Sequence, residues 1–151
     1  MDIVFSKKYD TNVYKEIKYN KIGYLHDIII VSKNSEFATR TVQLEELENQ
    51  IMYVPRSYAQ TVENIKRLTS KIKINFKNSS YKTILECASS GQALGVITKE
   101  YVKSEELERL NLVEVNIQPK LEEIEFGYFT NSNKFKELND FIKEIKEYFK
   151  V

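Results

Sequence analysis

The run Asp27-Ile-Ile-Ile-Val-Ser32 constrains the fold more than any other stretch. It is continuously apolar and β-branched, without polar alternation, which predicts a strand covered on both faces. The polar stretch "SKNSEFATR" then ends it. Around this run the sequence alternates between strand and helix patterns. Asp2 to Phe5 reads as a short buried strand, Ile51 to Val54 as a second signal of that kind, and Ala93 to Thr98 as another. Ile72 to Phe76 alternates apolar and polar residues, which predicts a strand with one solvated face.

Helical spacing separates these runs. Thr41 to Glu48 reads as a short helix with Leu44 and Leu47 on one side and acids where the helix dipole favours them. Ser57 and Gln60 have the spacing of a capping box for a helix carrying Val62, Ile65 and Leu68 and ending near Ser70. Asn78, Ser79 and Ser80 offer caps for a helix with Ile84, Leu85, Cys87 and Ala88 on its inner face, and Gly91 stands where that helix needs a left-handed residue to stop. Val113, Val115 and Ile117 alternate in one strand, and Ile124, Phe126 and Tyr128 in another. From Lys134 to Lys150 the residues Phe135, Leu138, Phe141, Ile142, Ile145 and Phe149 form an apolar helical stripe. The expected class is α/β with mostly parallel pairing.

Composition excludes several functions. Twenty-three Lys and Arg balance 22 Asp and Glu, so the chain as a whole has no basic surplus for nucleic acid phosphates. One cysteine and one histidine allow no internal disulfide and too few soft ligands for a Cys/His zinc site. No apolar run approaches the roughly 18 residues of a membrane span and no export leader opens the chain, so a cytoplasmic location is expected, without membrane partners or cofactors.

No motif argues for catalysis. Gly91 and Gly95 in "SSGQALG" follow a helix and enter a strand, the reverse of the order in which a phosphate loop presents backbone N–H groups. Cys87 is expected to pack inward, where a thiol is inert, and nothing in the sequence brings His26 to it. The pairs Glu45/Glu46, Glu105/Glu106 and Glu122/Glu123 read as solvated faces. More informative are the polar residues at predicted strand-to-helix junctions: Ser6, Ser32, Arg56 with Ser57, and Ser79 with Ser80. Each suits helix capping. As a group they suit a ligand cleft at the carboxyl ends of strands.

In order along the chain, these features resemble the effector-binding domain of LysR-type transcriptional regulators. "DIVF" is similar to that family's opening strand, and "LHDIIIVSKNSEFATRTVQLEELENQIMYVP" resembles its strand, turn, Leu-x-x-Leu segment and following strand. "NSSYKTILECASSGQALGVITKEYV" resembles its Ser-led helix and glycine turn, although Gln92 and Ala93 replace the family's compact Gly-x-Gly.

The resemblance implies a type 2 periplasmic-binding-protein-like fold of two lobes, with a small-molecule effector between them. Residues 1–32 and 119–151 would form a partial first lobe, and 33–118 a complete second lobe. The family's N-terminal helix-turn-helix and the first strand-helix-strand-helix of its first lobe are missing, so DNA would be reached only through an absent N-terminal domain. The expected effector-binding residues are Ser32, Tyr53, Arg56, Ser57, Ser80 and Tyr81. A partial lobe also leaves apolar sheet uncovered, which favours a homo-oligomer. A free-standing solute-binding protein of the same fold is the alternative. An enzyme on a similar scaffold lacks a convergent catalytic set, and an interaction module that merely dimerises remains as a further class.

Overall fold

The computed structural model describes residues 3–8, 18–56, 59–130 and 136–149. In chain order its elements are strands β1 (Ile3–Lys7), β2 (Lys18–Ser32), β3 (Thr41–Gln43) and β4 (Ile51–Pro55), helix α1 (Ala59–Leu68), β5 (Asn75–Ser79), α2 (Tyr81–Ser89), β6 (Leu94–Thr98), α3 (Ser104–Arg109), β7 (Leu112–Glu114), β8 (Asn116–Gln118), β9 (Glu123–Thr130) and α4 (Lys136–Tyr148). They form two compact units, residues 1–25 with 123–151, and residues 26–122. β2 contributes its first part to one and its second part to the other.

The unit of residues 26–122 is built around the apolar half of β2. Side chains of a strand alternate between faces, so the unbroken run feeds two cores. Ile29 and Val31 join Met52, Val54, Val96 and Ile65 of α1 on one side. Ile28 and Ile30 join Ile97 and the α2 residues Ile84, Leu85 and Ala88 on the other. The strand order is β2-β6-β4-β5, with β7 also pairing β2.

β4 runs parallel to β5 and β6, as the intervening helices α1 and α2 require, but β2 is antiparallel to both β6 and β7. Pairing is therefore mixed rather than mostly parallel. β2 belongs to neither helical crossover, so no connection obliges it to run with β6.

In the other unit β1 pairs antiparallel with β9, from Ile3 opposite Thr130 to Lys7 opposite Phe126. Leu25, Ile124 and Phe126 form its core, with Ile22 and Phe149 packed against them. The rings of Phe126 and Phe149 meet edge to face with centroids 4.8 Å apart.

Several local expectations are corrected. Thr41–Gln43 is a strand, because its β-branched pair Thr41 and Val42 lies parallel to β8, and only Leu44–Leu47 turns into a 3-10 helix. The strand placed at Ile72 to Phe76 instead occupies Asn75–Ser79. Its register follows β4, and the Asn75 N–H donates to the Gln50 carbonyl at 3.0 Å. The alternating stretch from Val113 to Ile117 is two short strands, one on β2 and one on β3. They divide at Val115, whose N–H turns to the Ile29 carbonyl at 2.8 Å. The charged segment after β6 contains α3. Cys87 is half-buried, not packed fully inward.

The capping box assigned to Ser57 lies outside the described residues. Ser80 does cap α2, accepting from the Thr83 N–H at 3.3 Å. Gly91, at φ +75°, ends the turn after it.

Gly95 is where β6 passes closest to its neighbours. A Cβ there would lie 2.8 Å from Ile84 Cγ2 and 3.0 Å from Ile30 Cγ1, both in a packed core. Gly95→Ala is expected to lower stability by about 1–3 kcal/mol through overpacking, measured as a lower denaturation midpoint with an unchanged slope.

A pH prediction comes from the 3-10 turn. The Glu46 carboxylate accepts the Gln43 backbone N–H at 2.8 Å and pairs with Arg40, also at 2.8 Å. The backbone donor first, then Arg40, hold its pKa below the usual carboxylate value. A depressed folded-state pKa gives stability that is present above the unfolded value and lost as pH falls through the folded one. NMR titration of the Glu46 carboxyl is expected to show a midpoint below that of other exposed glutamates, and Arg40→Ala to move it upward.

Candidate functional site

The strand registers align four polar residues on one rung of the sheet in residues 26–122. Asp27 is opposite Thr98; the β4–β5 register continued by one residue sets Arg56 level with Ser80, and the β4–β6 register continued three residues past Tyr53 and Gly95 sets Arg56 level with Thr98. With strands about 4.8 Å apart, the rung spans roughly 14 Å. It marks the carboxyl ends of β4, β5 and β6, where the two apolar cores stop.

Asp27 is the most constrained group on this rung. Only 5% of it is exposed. Its Oδ1 accepts from the Thr98 hydroxyl at 2.8 Å, and its Oδ2 from the hydroxyl of Thr61 in the first turn of α1. A buried carboxylate is tolerated only with such donors, since desolvation is otherwise too costly. The cluster thus ties β2, β6 and α1 together at one end of the sheet.

Beside it, Glu100 holds both the backbone and the ring of His26. Its Oε2 accepts the His26 N–H at 3.0 Å, and its Oε1 contacts His26 Nδ1. Tyr101 keeps 60% of its surface exposed. Its hydroxyl pKa is nevertheless raised by desolvation first, then by the charges of Asp27 and Glu100.

Of the residues expected from sequence, Arg56 is exposed directly after β4, and Ser80 caps α2 with its Oγ 2.9 Å from Thr83 Oγ1. Tyr53 and Tyr81 pack against the α2-side core. The Tyr81 hydroxyl is buried without a hydrogen-bond partner among the described residues, and burial and then Glu106 raise its pKa.

Ser57 lies outside the described residues. Ser32 is at the other end of β2, five residues from Asp27, or about 16 Å along the strand; its Oγ accepts the Asn34 N–H at 3.3 Å. The structure therefore brings Arg56 and Ser80 onto the rung, with Tyr81 following Ser80, and leaves Tyr53, three residues before Arg56 and on the opposite face, and Ser32 apart. Ser6 lies within β1, opposite Gly127, and not at a junction.

Sequence reasoning missed Asp27, Thr61, Thr98 and Glu100. One available signal was an acid opening a run that is buried on both faces, which obliges that acid to find donors. Among the described residues no group of three or more His, Cys, Asp or Glu is placed to hold a metal ion. None of the described helices is long and apolar enough to cross a membrane.

No protein-family model matches the chain, and no curated protein matches it in sequence. Solved structures do match in shape. The regulatory domain of Synechocystis PCC6803 CcmR in complex with 2-PG superposes with a TM-score of 0.79 at 12% identity, covering 99% of this chain and 74% of that one. The regulatory domain of MetR, a LysR family regulator from N. meningitidis, gives 0.76 at 14% identity, covering 97% and 69%. The effector binding domain of QuiR in complex with shikimate gives 0.69 at 10% identity, covering 96% and 69%.

This chain has the fold of LysR-family regulatory domains. That fold is the α/β, type 2 periplasmic-binding-protein-like one.

The Asp27 cluster carries a stability prediction. Asp27→Ala removes the acceptor of two buried hydroxyls and is expected to cost about 2–3 kcal/mol. Asp27→Asn should recover part of this, because a threonine hydroxyl donates or accepts as required. Denaturant midpoints of the two variants check both the loss and its order.

Proposed function

We propose that this chain is the small-molecule effector-sensing domain of a LysR-type transcriptional regulator, and that the rung of Asp27, Thr98, Arg56 and Ser80 is its contribution to the effector site. The observation that carries the reading is the convergence of these groups at the carboxyl ends of β4, β5 and β6, on a fold shared with regulatory domains. A crevice outside the carboxyl ends of strands is where open α/β sheets bind ligands.

Arg56 supplies an exposed cation and the Ser80–Thr83 pair supplies hydroxyls, while Asp27 and Glu100 order the other half of the rung. The complementary ligand is a small hydroxylated molecule bearing a carboxylate or phosphate. Two of the fold-matched domains were solved with 2-PG and with shikimate, which agrees with this class.

Residues 26–122 are taken as the second lobe, and 1–25 with 123–151 as the first, in place of the boundaries at 33 and 118 expected from the sequence. Effector binding would bias an oligomeric regulator between states through its differential affinity for them, in the cytoplasm, with DNA read by a separate helix-turn-helix and no catalytic step. The solute-binding alternative is not favoured, since the matched structures named above are regulatory or effector-binding domains.

A thermal-shift screen of hydroxylated carboxylic acids and sugar phosphates tests the site. A true effector at a hundred times its Kd stabilises the domain by about 2.7 kcal/mol. Arg56→Ala is expected to abolish that shift while leaving the unliganded melting temperature unchanged, because the side chain is exposed. A shift that survives both Arg56→Ala and Ser80→Ala would place the ligand elsewhere.

A further inference from the structure

His26 is the only histidine of the chain, and a histidine ordinarily titrates near neutrality, at about 6.5. It opens the unit of residues 26–122. A single carboxylate holds it twice: Glu100 accepts the His26 N–H through Oε2 and meets the ring at Nδ1 through Oε1. The imidazole is half-exposed and Glu100 mostly covered, with 45% and 21% of their side chains open to water. A neutral ring with its proton on Nδ1 donates to Glu100 as a charged ring does. Titration of His26 therefore changes the charge of the pair while its hydrogen bond is kept.

The pair lies among other titratable groups. Asp27, next along β2, is held by the hydroxyls of Thr98 and Thr61. Tyr101, in the same turn as Glu100, feels both carboxylates, which add to desolvation in raising its hydroxyl pKa. Continuing the β2–β6 register by one residue sets Lys99 opposite His26, and its ammonium turns to Glu114 at 3.3 Å. The groups brought to His26 are thus Glu100, Tyr101 and Lys99 from the turn after β6, and Asp27 from its own strand. Glu100 follows Thr98 of the polar rung by two residues. With His26 neutral, two carboxylates face this end of the rung; with it charged, one of the two is neutralised. Arg56 stands two strand spacings from Asp27, about 10 Å, which is within electrostatic reach at low salt.

We infer that His26 switches the rung by charge: its protonation cancels Glu100 and lets an anionic group settle against Arg56 and Ser80. Anions are then held more tightly as pH falls through neutrality, and a bound anion favours the charged ring in return. This inference rests on the reading of the rung as the effector site. A bond that merely fastened β2 to the turn would stabilise the sheet without altering anion affinity, which separates the two roles.

The full chain is followed by NMR. The His26 ring is expected to titrate above free histidine, because an opposite charge beside it favours the protonated form, and Glu100→Gln to bring the midpoint down. A raised folded-state pKa gives stability that is present below the unfolded value and lost as pH rises through the folded one. Sulfate is the probe, since its charge is constant over this range, and its binding is read from the Arg56 and Ser80 amide shifts at constant low ionic strength. Its Kd is expected to be roughly two- to tenfold lower at about pH 6 than at about pH 8. His26→Gln keeps a donor for Glu100 without a titrating ring, and should make the affinity independent of pH.

Equal affinity at both pH values, a pH dependence that persists in His26→Gln, or a His26 midpoint unmoved by Glu100→Gln would overturn the switch. Absence of sulfate binding at either pH would reject it as well. If His26 still titrated as expected, that result would locate the failure in the proposed effector site and not in the His26–Glu100 pair.

Discussion

The second half of β2 is the constraint on which residues 26–122 depend. Four consecutive aliphatic residues, Ile28 to Val31, are buried on alternating sides of one strand. Each is worth about 1.5–3 kcal/mol when fully removed from water. Neither face can be left open, so α1 must cover one and α2 the other. Close packing follows: Gly95 has no room for a Cβ because Ile30 and Ile84 already occupy the space beside it.

Where the apolar run begins, the chemistry changes within one residue. Asp27 is as buried as its neighbours but is held by hydroxyls from β6 and α1, so the end of the hydrophobic strand is also the start of the polar rung. A carboxylate at this position needs the surrounding elements in register, and those same elements bring Arg56 and Ser80 level with it. The proposed effector site and the stability of this end of the sheet therefore share residues.

Net charge hides the other asymmetry. The near balance over the whole chain argues against general polyanion binding, yet the cations between Asn64 and Leu85 are collected around one sheet edge.

What the sequence determined by itself was the class and the positions where the chain must be buried or turn. The unbroken run at Ile28, the cap at Ser80 and the stop at Gly91 are local signals, each written in neighbouring residues; of the α4 stripe, Ile142 is buried but Phe141 is exposed and Phe135 lies outside the described residues. The family pattern was legible for the same reason, being an order of such signals along the chain. Strand direction, the division of Val113 to Ile117 into two strands and the start of β5 at Asn75 were decided by pairing between segments far apart in sequence. So was the candidate site. Asp27 and Thr98 are separated by 71 positions, and only the registers of β2, β6, β4 and β5 set Asp27, Thr98, Arg56 and Ser80 on one rung and Ser32 at the other end. Hydrophobic periodicity reports which face of an element is buried, but which residues meet is a property of the register.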